Sequence, residues 1–373
     1  MDLTRPEAQT APAPLPLLAP RSVEEVAGVL AEARGAGRRL LVVGGRTHLD
    51  KGNPSPVDAE LSVAALDRLV EWNPAEMLAV VGAGMPCGRL DELLAEHGQE
   101  WPVDAPAAAT VGGVIAAAAS SPRRLRVGPV RDLVLEVELV SGAGRRIRAG
   151  GRTVKNVSGY DLCRLVTGSL GTLGVLTQVA LKLRPRPAAR RTVRAASRNG
   201  LFATAATLLA AVPRPTALLV TPIGIELRLE GWPADLEEQT ALAIQTLGGS
   251  GKVELHDEEP FPLARPWEAA PVVVEAAVAP SRLQAVAEAA ADAEVLGWGA
   301  LAGVGICWVG LPDGGALATL RERIQALDGI APVVRGPGGG LGAAAPAPAV
   351  HRRLKRAFDP DGILAPGRFW GES

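Results

Sequence analysis

The clearest alternation of apolar and polar positions lies between residues 20 and 45. Val26 and Leu30 recur at helical spacing, and Ser22 stands three residues before Glu25, a spacing typical of a capping box at a helix start. Two glycines after this stretch predict the end of the helix. The apolar run 40–43 predicts a short buried strand that leads directly into a glycine-rich turn.

The pattern up to residue 187 predicts further short strands and helices. An alanine-rich helix is expected to begin at Thr110, and Ser141 to Gly144 predicts a hairpin turn. The other predicted elements are strands over 61–63, 77–81, 133–140, 145–148 and 175–183, and helices over 86–97 and 161–167. The X-Pro repeat at 184–187 forces an extended chain and predicts a domain boundary.

From about residue 190 to 330 the pattern changes to strand, helix, strand, strand, helix. Strands are predicted over 217–220, 225–230, 272–278 and 306–309, and helices over 236–247 and 282–293. This order predicts an antiparallel sheet with its helices on one face.

Composition narrows the functional classes. The 373 residues are 47% hydrophobic and carry a formal net charge of −1, which argues against a nucleic-acid-binding protein. The dense basic stretch 184–198 lacks aromatic residues, and we expect a solvated linker there. Three separated cysteines exclude a metal–thiolate or iron–sulfur site built by this chain. We expect no signal peptide, and the uncharged stretch 105–122 lacks leucine, so we expect no transmembrane segment.

Two glycine-rich turns carry the candidate chemistry. Gly44-Gly45-Arg46-Thr47-His48 follows a predicted strand, and Thr110-Val111-Gly112-Gly113 opens a predicted helix. Glycines allow backbone N–H groups to approach a pyrophosphate closely, and a helix start favours negative charge. Either turn alone is weak evidence, but the two together indicate a dinucleotide held between two lobes.

Further motifs make a family resemblance clear. The order of the capped helix, the Leu-Val-Val-Gly-Gly run, Asp104-Ala105-Pro106, the Thr110 turn and Arg131-Asp132 resembles the FAD-binding domain of the vanillyl-alcohol oxidase, or PCMH-type, superfamily. Residues 151–161, 168–175, 358–364 and 366–368 are similar to signatures of the GlcE-like FAD-binding subunit of glycolate oxidase. The likeness covers about 20–185 and 350–370, and the middle of the chain carries almost none of it.

The resemblance implies an α+β fold in which a two-lobed PCMH-type FAD-binding domain carries a smaller antiparallel α/β cap domain. It implies an N-terminal tail over 1–19 and an FAD domain over 20–187 with lobes at about 20–100 and 101–187. A cap domain over 188–335, a Gly/Ala/Pro linker over 336–348 and a C-terminal segment over 349–373 that returns to the FAD domain would follow.

The resemblance also implies non-covalently held FAD and names its contacts. The residues expected to bind the cofactor are Gly44, Gly45, Arg46, Thr47, His48, Pro106, Thr110, Gly112, Gly113, Ala116, Ala117, Ser120, Gly174 and Val175. Three positions depart from the family pattern. Arg46 stands where a third glycine is usual, Ser121 replaces a glycine, and Ala365 stands where relatives commonly have Asn.

A complete active site is not visible in the sequence, so the catalytic residues stay unassigned. The four histidines do not cluster with glutamates, and Lys155, Asn156 and Tyr160 form the densest polar group, which would face the flavin or a partner or serve as an ordered turn. No metal ligands are predicted.

The first hypothesis is therefore an FAD-binding subunit of a glycolate oxidase-type complex, acting with a catalytic FAD subunit and an iron–sulfur subunit on a small 2-hydroxy acid. The alternatives are a self-sufficient FAD-dependent 2-hydroxy-acid dehydrogenase and a non-catalytic scaffold. The expected location is cytoplasmic, including the inner face of the membrane where partners would hold the chain.

Overall fold

The computed structural model describes residues 14–152, 160–196, 200–248, 252–263, 265–337, 339–341 and 347–369. Its N-terminal part forms a small parallel sheet of order β1-β3-β2 covered by one helix. These elements are β1 Leu17–Leu18, α1 Val23–Gly35, β2 Leu40–Val43 and β3 Ala59–Ser62. The Ser22 side chain accepts a hydrogen bond from the Glu25 N–H at 3.1 Å, which confirms the predicted helix start. Because β1 pairs with β3, the segment predicted as a tail contributes a strand.

The next part of the chain builds a five-stranded antiparallel sheet of order β4-β5-β9-β7-β8. The elements in this part are β4 Leu69–Asn73, β5 Leu78–Gly82, α2 Cys87–Ala95, β6 Gln99–Glu100, α3 Val111–Ala117, α4 Arg124–Val127, β7 Val134–Ser141, β8 Arg146–Gly150, α5 Leu162–Val166, β9 Gly174–Lys182 and β10 Arg184–Pro185.

This sheet changes the lobe division expected from the sequence. A division at residue 100 would place β4 and β5 in the first lobe, whereas both strands belong to the second sheet. The physical reason is burial, because every residue of β5 is buried and pairs with β9. The smaller sheet ends at Ser62.

The described residues between 189 and 335 form an eight-stranded antiparallel sheet of order β14-β11-β13-β12-β16-β17-β15-β18. Its elements are β11 Ala189–Ala196, α6 Leu201–Ala211, β12 Ala217–Thr221, β13 Gly224–Gly231, α7 Pro233–Leu247, β14 Val253–Asp257, β15 Val272–Ala277, α8 Leu283–Ala291, β16 Gly297–Leu301, β17 Ile306–Leu311, α9 Leu317–Gln325 and β18 Val333–Arg335. The order β-α-β-β-α-β occurs twice, so two ferredoxin-like units share one sheet through the β12–β16 pair.

The helices of both units pack on one face of this sheet, as predicted. The apolar core between the helices and the sheet includes Leu208, Leu236, Val286 and Leu320. The opposite face carries a second apolar cluster that includes Trp267 and Trp308, whose rings stack 5.4 Å apart. That second face is turned toward the part of the chain that precedes β11.

The prediction of a solvated linker over 184–198 is wrong for the part that the structure describes. Residues 189–196 form β11, which lies between β13 and β14 in the large sheet. Its arginines pair with carboxylates on neighbouring elements, and Arg191 Nε lies 2.6 Å from Asp257 Oδ1. Positive charge on this strand is therefore neutralised by its neighbours.

The C-terminal segment lies against the first sheet. Helix α10, Pro348–Phe358, presents Lys355 to the interior, where its Nζ donates to Thr172 O at 2.8 Å, Leu364 O at 2.6 Å and Asp359 Oδ2 at 2.7 Å. Ala365 N donates to Leu40 O at 2.9 Å. In the part of the chain that is described, no helix is long and apolar enough to span a membrane.

Candidate functional site

The two glycine-rich turns predicted from the sequence are in direct contact. A Cβ placed on Gly44 would overlap Thr110 Oγ1 and lie 3.2 Å from Thr110 Cβ. A Cβ on Gly45 would overlap the Ala108 carbonyl oxygen and lie 2.9 Å from its carbonyl carbon. Glycine is thus required at both positions because the turns approach each other so closely.

The first turn presents unpaired backbone donors. Within the described residues, the N–H groups of Gly45, Arg46, Thr47 and His48 have no protein acceptor. Arg46 has a left-handed φ of 60°, and a left-handed residue in such a turn orients successive N–H groups toward a common anion. The turn therefore fits a pyrophosphate group.

The second turn uses its backbone donors to hold the chain together. Val111 N donates to Met85 O at 2.9 Å, Gly112 N to Ala83 O at 2.8 Å, and Gly113 N to Thr110 Oγ1 at 3.2 Å. The Thr110 side chain thereby caps α3. This turn consequently shapes the site, and the first turn supplies the free amides.

The Arg46 side chain points to β3. Its Nη1 donates to Glu60 Oε1 at 2.9 Å and its Nη2 contacts Glu60 Oε2. The left-handed backbone at Arg46 gives a physical reason for the glycine that the resemblance implies at this position. Ala365 also has a positive φ, 40°, and the Asn that the resemblance implies there would tolerate this backbone conformation better than Ala.

A small cavity of about 80 Å³ lies between the two turns. Most of the residues predicted to bind the cofactor line it, namely Gly44, Gly45, Arg46, Thr47, His48, Thr110, Gly112, Gly113, Ala116, Ala117 and Gly174. Ser169, Leu170, Gly171 and Arg368 also line it and were not predicted. The Pro366-Gly367-Arg368 signature could have indicated Arg368, which donates to Leu49 O at 2.6 Å and to Lys51 O at 2.9 Å.

A larger cavity of about 1010 Å³ lies between the part of the chain that precedes β11 and the eight-stranded sheet. Thr47 and His48 line both cavities, and Pro106 and Ser120 line only the larger one. Val175 lines neither, because its side chain lies in the apolar core beside α1.

Buried charges on one wall of the larger cavity pair with one another. Arg123 contacts Glu100 and lies 3.2 Å from Glu230 Oε2, so one guanidinium joins β6 to β13 of the large sheet. Arg190 Nη2 lies 3.5 Å from Glu100 Oε2, which is a second contact between the two parts of the chain. Arg228 Nε lies 3.4 Å from Glu230 Oε1 within β13.

The remaining cations of the cavity are also engaged. Arg186 contacts Asp91, Arg265 Nη1 lies 3.3 Å from Glu268 Oε1, and Arg335 Nη2 donates to carbonyl oxygens that include Ala270 O at 3.2 Å. Lys51 Nζ lies 3.6 Å from Glu275 Oε1. Among the described residues, each Lys and Arg lining this cavity therefore has an anionic or carbonyl partner.

None of the titratable groups described below is an evident general base for the substrate hydroxyl. Burial, with help from Lys51, lowers the pKa of His48 and favours its neutral form. Desolvation by the surrounding protein raises the pKa of Asp104, whose Oδ2 accepts a hydrogen bond from Ser121 Oγ at 2.7 Å. Burial also raises the pKa of the Cys87 thiol to about 12, so this cavity thiol is a poor nucleophile for covalent flavin attachment.

His97, His256 and Tyr160 do not line either cavity. His97 packs edge-on against Trp72 at 4.6 Å, and the side chain of His256 lies 3.3 Å from Glu259 Oε1. Tyr160 is 92% exposed, whereas Lys155 and Asn156 lie outside the described residues. No set of three or more His, Cys, Asp or Glu residues within the described ranges is arranged to hold a metal ion.

Comparison with known proteins gives a consistent result. Residues 14–150 match the family model described as an FAD binding domain. Glycolate oxidase subunit GlcE of Escherichia coli is 37% identical over 158 residues, 42% of this chain and 45% of the relative. D-lactate dehydrogenase of Archaeoglobus fulgidus is 37% identical over 184 residues, 46% of this chain and 41% of the relative. The chain thus spans less than half the length of these relatives.

A solved structure extends the likeness to the fold of nearly the whole chain. An alkyldihydroxyacetonephosphate synthase structure has a TM-score of 0.69 at 16% identity and covers 94% of this chain and 75% of its own. At that identity the likeness concerns the fold alone. These matches show an FAD-binding domain over residues 14–150, with FAD as its cofactor, and the free amides beside Gly45 lie within that domain.

Proposed function

We propose that this chain is the FAD-binding subunit of a glycolate oxidase-type complex that oxidises a small 2-hydroxy acid. It would hold FAD non-covalently and support electron transfer or assembly beside a catalytic FAD subunit and an iron–sulfur subunit. The GlcE relative and the relatives named D-lactate dehydrogenase and D-2-hydroxyglutarate dehydrogenase support this substrate class. We propose a cytoplasmic location, extending to the inner membrane face where partners hold the complex.

FAD bound here would supply a two-electron acceptor for the hydride of the substrate. The turn over 44–48 would bind the pyrophosphate through its free amides. The cavity around the cofactor would be shaped by Thr110, Gly112, Gly113, Ala116, Ala117 and Gly174. Its exit into the larger cavity would be bordered by Pro106 and Ser120. Val175 would act through the core that supports this wall.

The observation that carries the accessory role is the pairing of the cavity cations. A 2-hydroxy acid needs a cation for its carboxylate and a base for its hydroxyl proton. The cations of the larger cavity already have partners among the described residues, and His48 lies in the turn that would hold phosphate. An additional subunit would supply the missing groups.

A self-sufficient 2-hydroxy-acid dehydrogenase is the second candidate. The observation in its favour is the size of the larger cavity, because about 1010 Å³ can hold a flavin ring together with a small acid. The two candidates differ in whether the isolated chain can reduce its own flavin.

The test is to add glycolate and D-lactate anaerobically to the purified chain and to the complex purified with its co-expressed partners. The accessory role predicts that the flavin bands of the isolated chain persist while those of the complex bleach. Bleaching in the isolated chain would overturn the accessory role in favour of the dehydrogenase. The Gly45→Ala variant, which we expect to bind FAD weakly, is the control for free flavin in each sample.

A further inference from the structure

One ion pair in the larger cavity joins the phosphate-binding turn to the large sheet. Lys51 lies three residues beyond His48, and Glu275 lies on β15. The Lys51 Nζ and Glu275 Oε1 atoms are 3.6 Å apart, and both side chains are 11% exposed. Both residues line the cavity, so each charge faces the space beside the turn.

Neighbouring groups fix both members of this pair. Glu275 Oε2 accepts a hydrogen bond from Trp308 Nε1 at 3.2 Å, and Trp308 stacks on Trp267. The backbone of Lys51 donates from its N–H to His48 O at 3.2 Å and accepts from Arg368 Nη2 at 2.9 Å. The Glu275 carboxylate and the Lys51 backbone are therefore held in place, and the side chains of both residues are 11% exposed.

The sizes of the two cavities indicate where a flavin ring would fit. The space of about 80 Å³ between the turns is too small for a three-ring system, whereas the adjoining cavity of about 1010 Å³ is large enough. Thr47 and His48 line both spaces. A dinucleotide with its pyrophosphate on the turn would thus extend its ring into the larger cavity, beside Lys51.

We propose that Lys51 raises the reduction potential of the bound FAD and that Glu275 moderates this effect by pairing with Lys51. The proposal rests on the flavin position described under the proposed function. Two electrons added to the ring increase its negative charge, so a nearby ammonium favours the reduced form and a nearby carboxylate opposes it. Lys51 and Glu275 would thus act on the reduction potential of the flavin through their charges and would not take part in bond making or breaking.

Other charged groups lie near the pair and are the same in every variant. Asp50 directly precedes Lys51 and accepts a hydrogen bond from Gly336 N at 2.9 Å. The Arg124 guanidinium is close enough to Glu275 for that carboxylate to raise the Arg124 pKa against the lowering caused by burial. Because these groups are retained throughout, differences between variants report the Lys51–Glu275 pair.

The test measures the midpoint potential of bound FAD by reductive titration against a reference dye, in the wild type, K51M, E275Q and the double variant. K51M should lower the equilibrium constant for reduction about tenfold, which equals about 30 mV for a two-electron couple. E275Q should shift the potential upward, and the double variant should lie between the two single variants. The surface pair Lys252–Glu254 lines neither cavity, so K252M and E254Q serve as controls and should leave the potential unchanged.

The dissociation constant of FAD, measured for each variant, separates the possible outcomes. Shifts of opposite sign for K51M and E275Q support the proposal. A loss of FAD affinity in both with an unchanged potential, or shifts of the same sign, would show a merely structural pair and overturn it. If the wild type binds no FAD, the assigned cofactor site and this proposal are both wrong, whereas normal binding with unchanged potentials overturns only this proposal.

Discussion

The Gly45→Ala substitution tests how closely the two turns approach. The new methyl group would overlap the Ala108 carbonyl oxygen and lie 2.9 Å from the carbonyl carbon. Carbon atoms prefer separations of about 3.5 Å or more, so the turns must separate by at least about 0.6 Å. Because the obstructing atoms belong to the backbone, no side-chain rotation can relieve the contact.

Overpacking of this kind costs about 1–3 kcal/mol of unfolding free energy. Separation of the turns also displaces the free amides of residues 45–48, and a loss of about 1.4 kcal/mol in binding weakens FAD about tenfold. Urea unfolding without FAD and FAD titration by fluorescence quenching measure the two effects separately.

Gly28→Ala is the matched control. Gly28 lies inside α1, and a Cβ there would meet nothing within 4 Å. Removal of a helix-interior glycine should stabilise the chain by about 0.5–1 kcal/mol and leave FAD affinity unchanged. If Gly45→Ala has the same unfolding free energy and the same FAD affinity as the wild type, the reasoning about the two turns is refuted.

Three further predictions concern charged side chains. Arg123→Met should lower the unfolding free energy by about 1–3 kcal/mol in urea titrations, because Glu100 and Glu230 lose one of the two arginines that they share and keep the other, Arg190. Lys355→Met should leave the buried Asp359 carboxylate without its cation, so limited proteolysis should cut the C-terminal segment faster than in the wild type. Desolvation by the surrounding protein raises the pKa of Asp104 in the folded state, so its contribution to stability is present at pH below about 3.8 and is lost as pH rises through the raised value. Asp104→Asn should flatten this part of the stability–pH curve, and an unchanged slope would contradict the assignment.

Local patterns predicted most of the FAD-binding part because its signals are short-range. The cap at Ser22, the strand over 40–43 and the helix start at Thr110 each depend on residues within a few positions, and the structure confirms all three. The turns were found because their glycines mark close backbone approach, which is visible in sequence.

The remaining features depend on distant partners. In the sequence alone, the arginines of β11 look like a run of solvent-exposed charges. Strand pairing brings Asp257 and Glu230 beside them, and these partners are distant in sequence. Arg368 and Lys51 meet across more than 300 positions. The Lys51–Glu275 pair likewise joins distant parts of the chain, so a local sequence pattern cannot predict it.

The most direct test of the central claim is the flavin content of the chain purified alone. We predict visible flavin bands that correspond to one FAD per chain, and release of all flavin into the supernatant when the protein is denatured with acid. Gly28→Ala should retain this content and Gly45→Ala should lose most of it. A purified chain that has no flavin bands and takes up no added FAD, or flavin that stays with the acid precipitate, would contradict the account.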